Sequence, residues 1–167
     1  SIRVTVAKKG KGTQWLSTSN VGDIWDVIGR VGNGFPMPDK KDKILLVGGG
    51  IGVCPLLYVA HQVQNCHALI GFQNKDSVIL EEDFRKYCNP VMVTTDDGSY
   101  GEKGFVSAYI EKLQKENEYT KIFACGPHPM LKAVYQVSKN LQIPLYVSTE
   151  ERMACGIGAC LVCVCKV

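Results

Sequence analysis

From residue 44 onward, runs of uninterrupted apolar residues alternate with longer amphipathic stretches, and few folds accept that rhythm. A run that is apolar at successive positions has no wet face, so it predicts a strand covered on both sides, as in a parallel sheet between helices. The strands expected on this basis are 44–47, 68–72, 91–95, 121–125 and 145–148. Helices are expected over 53–63, 80–87, 105–113 and 128–141, the third with Phe105, Ala108, Tyr109 and Leu113 on one face. Five strands interleaved with helices predict an α/β fold, a five-stranded parallel doubly wound domain.

The stretch before it reads differently. Ile2, Val4 and Val6 alternate with Arg3, Thr5 and Ala7, which predicts a half-buried strand, and 23–29 returns to the same period. Between them 13–17 predicts one short helix with Thr13 as N-cap. Gly32-Asn33-Gly34-Phe35-Pro36-Met37-Pro38 has the strongest linker composition of the chain. The expected organisation is therefore a leading segment 1–40, the sheet domain 41–149, and a closing segment 150–167.

Hydrophobic residues make up 46% of the chain, enough for an ordinary core, yet no apolar run approaches the ~20 residues of a membrane span. A net charge of +3 is too small to argue for nucleic acid. The alternating N-terminus is not a signal peptide, and the missing initiator Met predicts a piece of a longer protein. Of the eight cysteines, Cys54, Cys66 and Cys125 sit in apolar runs where Cys acts as a small buried hydrophobe. The expectation is a reduced, cytoplasmic protein rather than a disulfide framework.

In doubly wound sheets, ligands bind beyond the carboxyl ends of the strands near the switch in strand order. Gly48-Gly49-Gly50-Ile51-Gly52 follows the first buried strand and opens a helix, so its backbone can approach a diphosphate closely. The spacing is not strict G-x-G-x-x-G, and a merely tight turn is the alternative. Cys125-Gly126-Pro127 ends the fourth strand abruptly, leaving a thiol that could pack on a flat ring or simply be buried. Lys9-Gly10-Lys11-Gly12-Thr13 could seat a phosphate at a helix start or form a solvated turn. Asp96-Asp97-Gly98-Ser99 reads as a turn before it reads as a metal site. His61, His67 and His128 share no metal spacing and are assigned no ligand role.

The tail carries Cys155-x4-Cys160-x2-Cys163, with Gly156, Gly158 and Ala159 between the first two thiols. That is three-quarters of the plant-type C-x4-C-x2-C…C pattern for a [2Fe–2S] cluster. Zinc is the rival metal, and the interleaved glycines favour iron–sulfur. The fourth ligand is expected beyond Val167. Cys165 could stand in or simply pack.

Taken with Gly32-Asn33-Gly34-Phe35, Gly71-Phe72, Cys125-Gly126-Pro127-x-x-Met130 and Glu150-Glu151-Arg152-Met153-Ala154-Cys155, these motifs resemble the ferredoxin–NADP reductase superfamily. Within it they are similar to the electron-transfer subunits of type B class 1 dihydroorotate dehydrogenases. The resemblance implies that 1–40 is the latter part of a FAD-binding β-barrel, 41–149 an NAD-binding domain, and 150–167 the truncated start of a [2Fe–2S] segment. Electrons from dihydroorotate, oxidised at FMN in a separate catalytic subunit of a suspected heterotetramer, would pass through the cluster and FAD to NAD⁺, in pyrimidine biosynthesis. Thr5, Val6 and Ala7 would line the flavin, and Gly12 and Thr13 would meet the FAD phosphates. Gly48, Gly50 and Gly52 would face the NAD diphosphate, with Cys125 and Gly126 near the nicotinamide. Cys125 and Glu150 are the candidate catalytic residues, and Cys155, Cys160 and Cys163 the implied metal ligands. The family's Arg-x-x-Ser flavin motif is expected before Ser1, so the polypeptide as given is expected to be inactive alone. A related flavoprotein subunit moving electrons between NAD(P)H and ferredoxin or sulfur species is the alternative enzyme. A zinc-stabilised nucleotide-binding module without redox activity is the reading from a different class. No basic cluster follows the second strand, Lys75 apart, which favours NAD over NADP.

Overall fold

In a computed structural model that describes residues 2–29, 31–63, 65–151 and 153–164, the chain divides into two compact units. One comprises residues 34–150, the other 1–33 with 151–167.

Within 34–150, strand β1 (Ile44–Gly49) is buried at all six positions, and its side chains feed two different cores. Ile44 and Leu46 pack with Val53, Leu56, Val59 and Phe84 on one side; Leu45 and Val47 pack with Ile110, Leu113, Leu131 and Val134 on the other. Because successive strand residues point to opposite faces, a run apolar at every position must have helices on both. They are α2 (Val53–Gln62) and α3 (Glu81–Arg85) on the first face, and α4 (Ser107–Asn117) and α5 (His128–Leu141) on the second. Each fully buried Leu, Ile or Phe contributes roughly 1.5–3 kcal/mol of transfer free energy to this double core.

The sheet has six strands, one more than the five expected. With β2 (Cys66–Phe72), β3 (Val91–Thr95), β4 (Glu102–Lys103), β5 (Lys121–Cys125) and β6 (Leu145–Ser148), the order is β4-β3-β2-β1-β5-β6, all parallel. The extra strand, β4, pairs two exposed residues with Thr94 and Thr95, too short to carry a periodic signal. The expected apolar face of α4 also shifts: Val106, Ile110 and Leu113 are buried, whereas Phe105 and Ala108 are exposed. Phe105 lies before the helix begins, so the helical period does not apply to it.

At the amino ends of the strands, Asp42 ties the lead-in of β1 to that of β5. Its carboxylate accepts from the Asp39 N–H (2.8 Å), the Thr120 hydroxyl (3.0 Å) and the Lys121 ammonium (2.5 Å). The division between the units falls at 33/34, ahead of the expected linker end. Phe35 explains it, since its ring stacks on Phe123 of β5 with centroids 5.1 Å apart.

Among its described residues the second unit has one helix, α1 (Lys11–Leu16), which starts two residues earlier than expected and has Gly10 rather than Thr13 at its N-cap. Thr13 sits one turn in; its hydroxyl accepts from the Lys9 and Gly10 N–H groups (2.9 and 3.0 Å) and donates to the Gly10 carbonyl. The strands expected at 2–7 and 23–29 are not formed, and Ile2, Val4, Ile24, Val27 and Ile28 are exposed. A strand persists only with a neighbour to satisfy its N–H and C=O groups, and the described residues of this unit supply none. Arg30, Arg152 and Cys165 lie outside the described residues. Among the described residues no helix is long and apolar enough to cross a membrane.

Candidate functional site: a crevice at the sheet switch point and a thiolate tail

After β1 the chain builds outward through β2, β3 and β4, then returns to place β5 on the other side of β1. The switch point therefore lies between β1 and β5, where Gly48 is in register with Cys125. The two loops singled out in the sequence meet there.

Their glycines do not all serve one purpose. A Cβ on Gly52 would strike the Cys125 carbonyl group and come within 2.7 Å of the Gly126 Cα, so the two loops touch backbone to backbone. A Cβ on Gly49 would strike the Met130 sulfur and come within 3.1 Å of Pro127, and one on Gly126 would meet Met130 at 2.7 Å and the Gly49 nitrogen at 3.1 Å. A Cβ on Gly48 would meet the Val53 side chain at 2.7 Å. Gly50 differs: its φ of +54° lies in the left-handed region, and nothing lies within 4 Å of where a Cβ would be. Of the three glycines expected to face a diphosphate, Gly48 and Gly52 are thus held by protein packing, while Gly50 borders open space.

The helices α2 and α5 begin beside these loops, and neither has an acidic residue in its first turn. The first N–H groups of a helix lack intrahelical acceptors and carry partial positive charge, so both ends suit an anion, although Pro55 and Pro129 donate nothing and the Val53 N–H is already taken by the Gly50 and Ile51 carbonyls. Cys125, at the carboxyl end of β5, is 4% exposed. Burial pushes its thiol above the ordinary value; the Ser148 hydroxyl opposes this, while the Glu150 carboxylate and Cys54 add to it. The thiol is neutral at pH 7 and behaves as a polarizable packing surface, not a nucleophile. The structure therefore brings Gly48, Gly50, Gly52, Cys125, Gly126 and Glu150 into one neighbourhood. Ser148 and Met130 belong there too: Ser148 faces Cys125 across the β5–β6 register, and Met130 fills the gap between Gly49 and Gly126. The Cys-Gly-Pro-x-x-Met spacing hinted at Met130; nothing in the sequence paired Ser148 with Cys125.

In the other unit, Thr5, Val6 and Ala7 are exposed and in no regular element, and Gly12 and Thr13 lie in α1. The tail has a distinct chemistry. Gly156 and Gly158, at φ +71° and +79°, turn the chain back so that N–H groups point at sulfur. The Cys160 N–H foremost, then that of Ile157, the Cys160 thiol and the Ala159 N–H, pull the Cys155 thiol down to about 6. A thiol held as thiolate by backbone donors is the donor type an iron–sulfur cluster requires, so the loop fits such a group. Among the described residues no three His, Cys, Asp or Glu side chains are gathered to hold an ion, and Cys160 is exposed.

This is the crevice of a pyridine-nucleotide oxidoreductase fold, and the comparisons agree. The family profile for the oxidoreductase NAD-binding domain matches residues 46–136, more than half the chain, which belongs to that family. The profile for the iron-sulfur cluster binding domain of dihydroorotate dehydrogenase B matches 150–167. The chain is homologous to proteins named dihydroorotate dehydrogenase B (NAD(+)), electron transfer subunit. That of Streptococcus mutans is 49% identical over 95% of this chain, and that of Caldanaerobacter subterraneus 44% identical over 95%. The chain spans 62% and 63% of those two relatives' lengths. Among solved structures, an NADH-dependent reduced ferredoxin-NADP oxidoreductase superposes with a TM-score of 0.81 at 33% identity, covering 92% of this chain and 57% of that one.

Proposed function

We propose that this chain is the NAD-binding and cluster-proximal part of an iron–sulfur flavoprotein subunit that carries electrons from dihydroorotate oxidation to NAD⁺ in pyrimidine biosynthesis. The observation that carries the reading is the pairing, on one chain, of a switch-point crevice open at Gly50 with a Cys155 loop whose N–H groups stabilise thiolate. The match of 150–167 to the dihydroorotate dehydrogenase B cluster segment supports it over other reductases. When bound, a [2Fe–2S] centre and FAD would convert one-electron transfer into hydride transfer at the nicotinamide.

The chain's own residues would do the rest. The N–H groups at the α2 and α5 starts would take the diphosphate, with Gly50 leaving room for it. Cys125, neutral and buried, would pack on the nicotinamide ring, and Glu150 would sit beside it. Cys155, Cys160 and Cys163 would ligate iron; Thr5, Val6, Ala7, Gly12 and Thr13 would border the flavin. An FMN-containing catalytic subunit is the implied partner, a heterotetramer the implied assembly, and the reduced cytoplasm the implied setting, which the free thiols support.

The test uses a form extended to the relatives' full length, purified anaerobically and mixed with the FMN subunit. Dihydroorotate-dependent NAD⁺ reduction, with two iron and two sulfide per chain, is expected; an iron-free, colourless protein would refute it. The likeness to the NADH-dependent ferredoxin-NADP oxidoreductase supports a second reading, in which ferredoxin replaces the dihydroorotate-oxidising partner. Reduction by ferredoxin with no turnover on dihydroorotate selects that reading.

A further inference from the structure

Two thiols that no nucleotide or cluster role accounts for face each other inside the sheet domain. Cys66 opens β2 and Cys88 lies in the loop between α3 and β3, and their sulfurs are 3.0 Å apart. Non-bonded carbon atoms sit best at about 3.5–4.0 Å, so this pair of larger atoms is well inside ordinary contact. Both side chains are 3% exposed. The backbone geometry suits a bond. β2 and β3 run parallel with Ala68 opposite Val91, a register that continued back two residues sets Cys66 opposite residue 89, next to Cys88. Neighbouring strands lie ~4.8 Å apart, and disulfides span Cα separations of roughly 4.4–6.8 Å.

The pair also has an internal division of labour. The two sulfurs share one hydrogen bond in which either thiol can donate; with the Cys88 S–H as donor, the Cys88 thiol is pushed up and the Cys66 thiol down. The Cys66 thiol has a second and third partner in the Val63 and Tyr87 carbonyls, at 3.8 and 3.7 Å. The chain on either side is exposed at Tyr87, Asn89 and Asn65, so the pair lies directly beneath the surface.

The geometry points to Cys66 and Cys88 as a reversible peroxide-oxidised thiol pair, whose disulfide staples the β2–α3–β3 segment that supports one wall of the nucleotide domain. The Cys66 sulfur attacks the hydroperoxide, the O–O bond breaks, and the alcohol or water leaves with the Cys66 proton, giving a sulfenic acid. The Cys88 sulfur then attacks the Cys66 sulfur; the S–S bond forms, the S–O bond breaks, and hydroxide leaves with the Cys88 proton as water. Two thiols thus give two electrons to one hydroperoxide, and a dithiol returns them by exchange. This inference is independent of the proposed activity.

The test is anaerobic reduced full chain treated with hydrogen peroxide, blocked with an alkylating agent, and mapped by peptide mass. A Cys66–Cys88 cross-linked peptide is expected, lost on adding dithiothreitol and accompanied by a rise of roughly 10 °C in the melting midpoint. In Cys88→Ser the rise disappears, and dimedone traps a sulfenic acid on Cys66. The Cys66→Ala/Cys88→Ala double variant, with no pair to bridge, melts at the same temperature with and without peroxide. The proposal is overturned if peroxide oxidises the tail thiols while the Cys66 and Cys88 peptides remain free and alkylate only on unfolding. A wild-type Cys66 adduct of dimedone with Cys88 still reduced overturns it equally, because Cys88 then fails to resolve.

Discussion

Gly52→Ala and Gly50→Ala should separate packing from ligand binding in a loop where both replace one hydrogen by one methyl. At Gly52 the added carbon would lie 2.6 Å from the Cys125 carbonyl carbon, roughly 0.8 Å short of the 3.4 Å at which ordinary contact begins. The obstacle is backbone on a central strand, so no rotamer change relieves it; β1 and β5 must part at their carboxyl ends. Overpacking of this kind costs about 3 kcal/mol, which for a domain of this size lowers the melting midpoint by roughly 10 °C. At Gly50 there is no clash, only the left-handed backbone at φ +54°, whose cost to an L-residue is about 1 kcal/mol. Its methyl would instead occupy the open side of the crevice. Gly50→Ala should therefore melt within roughly 4 °C of the parent while binding NADH at least about tenfold more weakly, the loss expected when a diphosphate is displaced from helix N–H donors. Circular dichroism melts and NADH fluorescence titrations read the two effects. Equal melting points for the two variants, or unchanged NADH affinity in Gly50→Ala, would refute the assignment of packing to one glycine and ligand approach to the other.

Two further outcomes follow from titrating groups. At pH 7 an alkylating agent should modify Cys155 first and leave Cys125 untouched in the folded chain, because the Cys155 thiol is held down to about 6 by the Cys160 N–H while burial pushes Cys125 up. Timed mass spectrometry reads the order, and the Cys155 rate should fall as pH drops through 6. At the foot of the sheet, the Lys121 ammonium holds the Asp42 carboxyl below its ordinary 3.8. A lowered carboxyl stabilises the fold above its unfolded value and loses that contribution as pH falls through the folded one. Asp42→Asn should therefore melt below the parent at pH 7, with the gap closing once pH drops beneath about 4; a gap that persists in acid contradicts the ion pair.

The buried sheet was legible because burial on both faces leaves an unbroken apolar run, which few other environments tolerate. Lys121–Cys125 and His128–Leu141 fall where the pattern placed them. β4 escaped because two residues have no period, and its partners Thr94 and Thr95 already belonged to a strand with a reason of its own. The opposite failure occurred at 2–7 and 23–29. Their alternation is real, but a strand is a property of two segments, and the pattern of one cannot supply the other's hydrogen bonds. The Cys66–Cys88 contact was invisible for a related reason. Twenty-two residues separate the thiols, and only the β2–β3 register brings them together.

The glycine loop shows what a motif measures. Four glycines at the switch point, Gly48, Gly49, Gly52 and Gly126, are needed because β1, β5 and the starts of α2 and α5 crowd one another there, whether or not a ligand is present. Read as a phosphate signature, the run suggested several ligand contacts; in three dimensions it records a narrow crevice whose walls touch, with Gly50 as the residue on the open side. The two meanings are linked. Loops that pack backbone to backbone hold the α2 and α5 N-termini beside one another, and two helix ends with the same partial charge in one place suit an anion. Substitutions at Gly49 and Gly126 should accordingly weaken NADH binding in proportion to the stability they remove, the steeper loss at Gly126, where an added methyl meets the Gly49 backbone at 3.1 Å as well as Met130, whereas at Gly49 it meets side chains. Gly50 alone should fall off that line.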